Sequence, residues 1–143
     1  MKHTSALTEP IVCSKQSTYM LYISSLSALS SCYAIYQNYY IYSLIPGTIF
    51  LTSINYWRYP VYGWRRNLDM TCVFCGATSI YIIAFNSSNC LLFYILMIMG
   101  ASCYPISIYL YNNNMHYLST LMHSKMHIFA NIALIILFSG YIP

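Results

Sequence analysis

Charge is the scarcest commodity in this chain, and its placement constrains the fold more than any other feature. Six Lys and Arg and two acidic residues are spread over 143 positions, 6% in all, while hydrophobic residues make up 59%. A water-soluble domain of this length carries about 25% charge to keep its surface wet. The missing polar surface is accounted for if most of the outside faces lipid.

The apolar residues fall into five stretches, about 19–36, 41–57, 68–85, 90–111 and 122–142. Each approaches the roughly 20 residues a helix needs to cross a hydrocarbon core. No acidic or basic residue lies deep in any of them. The expected fold class is all-α: a polytopic membrane bundle of about five transmembrane helices over 18–143, preceded by a polar segment, 1–17. That segment has no apolar h-region, so no cleavable signal is expected and the first span serves for insertion. The connectors contain Asn, Pro or Gly, the usual turn residues, and are short enough to force antiparallel hairpins.

Orientation follows from the same charges. With five spans, the N-terminus and the second and fourth connectors share one side. They hold Lys2, Lys15, Arg58, Arg65 and Arg66, Lys125 stands in the first turn of the fifth stretch on the same side, and the opposite connectors and C-terminus hold none. The positive-inside rule then places the N-terminus in the cytosol and Pro143 outside. No run of basic residues exceeds Arg65–Arg66, which excludes the extended basic face of a nucleic-acid binder. The expected partners are the bilayer and other membrane subunits.

Seventeen tyrosines are the other unusual feature. Tyr36, Tyr39, Tyr40 and Tyr42 cluster at one set of span ends, and Tyr56, Trp57, Tyr59, Tyr62 and Trp64 at the other, as aromatic interface belts do. The six cysteines sit mostly in apolar stretches and read as small buried thiols rather than a disulfide framework. The paired small residues Ser24–Ser25, Ser27–Ala28 and Ser30–Ser31 offer a face for close helix contact, within the chain or with another subunit.

Polar residues able to carry chemistry gather toward the charged end: Ser53 and Asn55, Asp69, His116, His123 and His127. His123 and His127 are four apart, so they share a helix face and can present two imidazoles to one metal ion. Asp69 can join them as a ligand or orient one of them. Cys72 and Cys75 form a Cys-x-x-Cys nearby, which allows a Cys72, Cys75, His123, His127 zinc set. Against these stand plain structural roles: interfacial histidines beside Lys125, and an Asp69 that favours a first helical turn with Arg65 or Arg66 as partner.

The stretches Leu51–Trp57, Asn67–Met70 and His123–His127 together resemble the superfamily of alkaline ceramidases and progestin/adipoQ receptors. That resemblance implies a zinc-dependent hydrolase of a lipid amide or ester, with Ser53 and Asp69 catalytic and His123, His127 and Asp69 at the metal. The family has seven spans, and Trp57 stands where its third zinc histidine is expected, with His116 a candidate replacement. The resemblance therefore also fits a relative that kept the helical core and lost catalysis. The leading expectation is a non-catalytic structural or assembly subunit of a membrane complex or virion membrane; the alternative is the zinc hydrolase.

Overall fold

The computed structural model describes residues 11–143. Five helices follow one another: α1 (Ser14–Tyr36), α2 (Tyr40–Trp57), α3 (Trp64–Ala84), α4 (Cys90–Asn112) and α5 (His116–Ser139). There is no strand among the described residues. The all-α class is as expected, and each helix overlaps one expected span. Three of them, α3, α4 and α5, are long and apolar enough to cross a membrane. In α1 and α2 serines, tyrosines and amides recur along the helix, so that no stretch of 18 residues is as apolar as the best stretch of the other three.

Helices run past the apolar stretches wherever the flanking residues tolerate helical backbone. Thus α1 starts at Ser14, α3 at Trp64 and α5 at His116, each several residues before the apolar stretch begins. The hydrophobic boundary and the hydrogen-bonded boundary are different physical quantities, and only the first is marked by hydropathy.

Two of the connections are closed by the same device. Asn38 (φ 66°) and Asn114 (φ 60°) adopt the left-handed conformation, which Asn enters more easily than most residues. Tyr39 N–H donates to Ala34 O at 2.8 Å and Met115 N–H to Leu110 O at 2.9 Å. These are the reach-back bonds of a Schellman turn, which cover carbonyls left open at the helix end. They produce two tight hairpins, α1/α2 and α4/α5, the most extensively packed pairs in the molecule. Gly63 (φ 146°) turns the longer Arg58–Gly63 connector into α3, at an angle that a residue with a β-carbon rarely adopts.

In space the order is α3, α2, α1, α5, α4, an open arc whose two ends meet only slightly. They touch near the uncharged end, where Tyr94 donates to Tyr81 O at 2.7 Å. The main core lies at that end too, built from Ala34, Ile80, Ala84, Phe93, Ala133, Leu134, Leu137, Phe138 and Ile142. A smaller cluster of Met20, Tyr56 and Trp57 closes the charged end.

Between these clusters the interior is lined with hydroxyls. Ser17, Ser24, Ser27 and Ser30 form a buried seam on α1. Ser17 donates to Trp57 O, Ser30 to Asn131 Oδ1 at 2.7 Å, and Ser31 to Ser43 O at 2.8 Å. The small-residue face of α1 is thus used inside the chain. Large apolar side chains point outward on every helix, for example Leu29, Leu51, Phe74, Ile98 and Ile132.

Two expectations are corrected. Tyr56 and Trp57 are buried, because α2 turns that face into the bundle; Tyr36, Tyr40, Tyr59, Tyr62 and Trp64 do face outward at the helix ends. All six cysteines are free and only Cys103 is buried, while Cys13, Cys32 and Cys75 are exposed. The seams of α1 and α3 are filled by Ser, Gly and Ala instead, leaving the thiols on outward faces.

Candidate functional site: two polar clusters at the charged end

Asp69 lies more than a turn inside α3 and is buried. The helix begins at Trp64, so Asp69 does not cap it. Its partners are hydroxyls of α2 rather than Arg65 or Arg66. Thr52 donates to Asp69 Oδ1 at 2.9 Å and Ser53 donates to the same oxygen at 2.7 Å. Consecutive residues on a helix point about 100° apart, and both reach one oxygen because the carboxylate enters the groove between them. Gly76 keeps α3 close to α2 below this point: a β-carbon there would lie 3.0 Å from Ile45 and Ile49 side-chain atoms.

The two arginines lie on aromatic faces instead. The Arg65 guanidinium is 5.7 Å from the Trp64 ring centre and that of Arg66 is 5.3 Å from Tyr62.

The second cluster belongs to α5. His123 and His127 bring their ring centres to 5.2 Å, as four-residue spacing dictates. Trp57 stands edge-on to His123 at 5.6 Å, and Tyr104 of α4 approaches its ring at 6.0 Å. One turn further on, Asn131 donates to His127 O at 2.8 Å and accepts from Ser30. This ties the histidine face of α5 to the serine seam of α1.

A tetrahedral zinc ion holding two ring nitrogens at ~2.0 Å sets the ring centres about 5 Å apart, so the histidine spacing suits a shared ion. The rest of a zinc set is not assembled. Among the described residues no three His, Cys, Asp or Glu side chains form a group able to hold a metal. Asp69 is engaged by α2, and His116 is exposed and edge-on to Tyr111 at 5.0 Å. Cys75 faces outward, which separates it from the half-buried Cys72.

Thr52, Tyr104, Asn131 and Ser30 belong to these clusters and were not among the residues expected from sequence. The tandem hydroxyls Thr52–Ser53 were a usable signal for a pair of donors to one acceptor. Tyr104 gave none, since its role depends on which helix neighbours α5. No family model, curated protein or solved structure matches this chain.

Proposed function

We propose that this chain is a multi-pass integral membrane protein with five spans, its N-terminus cytosolic and its C-terminus outside. Its work is non-catalytic: a structural or assembly subunit of a membrane complex or virion membrane. The observation that carries this is the inversion of polarity. Apolar side chains such as Leu44, Phe74, Leu91 and Ile135 face outward, whereas Ser24, Ser30, Ser53, Asp69 and Asn131 are buried. A bilayer rewards that arrangement because polar groups find partners inside. Accessibility labelling of single cysteines tests the topology: a probe at the N-terminus is expected to react from the cytosolic side only, and one at Pro143 from the opposite side only. Both termini on one side would overturn the five-span reading.

One observation favours a second reading, a zinc-dependent hydrolase of a lipid amide or ester: the spacing of His123 and His127. On this reading the two imidazoles would hold the ion, which would supply an activated water. Asp69, fixed by Ser53 and Thr52, is the acid–base candidate. Metal analysis of detergent-purified protein separates the readings. The structural reading expects less than about a tenth of an equivalent of zinc. One equivalent, lost in a His123→Ala/His127→Ala variant that keeps its helical circular dichroism, would put the hydrolase first.

A further inference from the structure

Arg65 and Arg66 sit at the start of α3 among outward-facing rings. Tyr59, Tyr62 and Trp64 are all exposed, and a cleft of about 240 Å³ opens between Tyr59, Val61, Tyr62, Gly63, Trp64 and Arg65. Asp69 is the only Asp or Glu in positions 11–143, and it is occupied by Thr52 and Ser53. Among the described residues no other carboxylate side chain exists to pair with the two guanidinium groups.

Their geometry is suited to an oxyanion. A guanidinium laid flat on a ring keeps its N–H edge available in the ring plane, and that edge matches a phosphate bidentately. The Arg65 guanidinium lies over Trp64 and that of Arg66 over Tyr62. Rings of this kind settle at the headgroup layer of a bilayer. Just below them Met70 and Phe74, four residues apart on one face of α3, point outward, an apolar track for acyl chains. Charge above apolar surface is the complement of a phospholipid.

We infer that the Tyr59–Arg66 collar binds the headgroup of an anionic phospholipid, with Arg65 and Arg66 on its phosphate and the acyl chains along the outer face of α3. This rests on the membrane reading above. Basic residues near an anionic surface each contribute about fivefold in association, so the pair predicts a preference of roughly fivefold to 25-fold over a zwitterionic lipid.

Trp64 is exposed at the collar, whereas Trp57, the other tryptophan, is buried. This allows a local probe. A Trp57→Phe protein is reconstituted in phosphatidylcholine vesicles containing brominated phosphatidylglycerol or, separately, brominated phosphatidylcholine at the same mole fraction. Brominated phosphatidylglycerol is expected to quench Trp64 at a severalfold lower mole fraction. In the Arg65→Gln/Arg66→Gln variant that advantage is expected to fall at least about fivefold. Equal quenching by both lipids in the protein with both arginines overturns the headgroup site and leaves the membrane reading standing. Quenching by neither overturns the membrane reading itself.

Discussion

Removing both hydroxyls that hold Asp69, in a Thr52→Val/Ser53→Ala variant, is expected to destabilise the bundle by about 3–5 kcal/mol. A carboxylate left buried without partners has that order of cost. Asp69 Oδ1 receives both donors, at 2.9 and 2.7 Å, and its side chain is 8% exposed, so water offers little replacement. Asp69→Asn gives the contrast. The amide oxygen still accepts from both hydroxyls, and the net change expected is about 1 kcal/mol or less. Reversible unfolding in mixed micelles, followed by circular dichroism, measures both variants. A double variant within 1 kcal/mol of the parent would show that the hydroxyl–carboxylate contact is incidental.

The second large effect is expected at Gly100. Here α4 and α5 come so close that a β-carbon would stand 3.2 Å from Phe129 Cβ and 3.3 Å from the backbone oxygen of Met126. Backbone cannot swing aside as a side-chain tip can. Gly100→Leu must therefore part the two helices along their most extensive contact, at a cost of about 3 kcal/mol. Small residues are what allow helices to approach in lipid. Gly76→Ala meets side-chain methyls and no backbone, Ile45 Cγ2 and Ile49 Cδ1 at 3.0 Å, which can give by a few tenths of an ångström, so it is expected to cost about 1 kcal/mol. A Gly100→Leu protein as stable as Gly76→Ala in the same unfolding assay would contradict the close packing of α4 on α5.

The number and order of helices were legible because hydropathy reports them directly. The ends were not. His116 begins α5 in a polar stretch, where hydrogen bonding continues although the apolar pattern has not started. The His123–His127 pair was legible for a local reason: four-residue spacing fixes neighbouring rings whatever surrounds them. Asp69 is the opposite case. Its depth along the helix could be read by counting, but depth does not fix rotation. The face of α3 carrying it turns toward Thr52 and Ser53, so lying at the same end as His123 and His127 did not make Asp69 the third member of a metal-holding group. Trp57 was read as part of an interface belt because its neighbours in sequence are aromatic. Its burial follows from the packing of α2 on α1, where it meets Met20, a contact with no trace in local pattern.

The two asparagine-closed turns divide the molecule into units that can form on their own. Each hairpin joins helices adjacent in sequence, so little loop-closure entropy opposes it. Helix α3 belongs to neither hairpin and is the least engaged of the five. It is the segment with most freedom to swing away from the rest. Yet it is also the helix that carries Asp69. On the membrane reading proposed above, letting go of α2 would strip the carboxylate of Thr52 and Ser53 and turn it toward hydrocarbon, where a bare charge is costly. The solvent thus acts as the latch: the loosest helix is held in register by what its aspartate would meet outside.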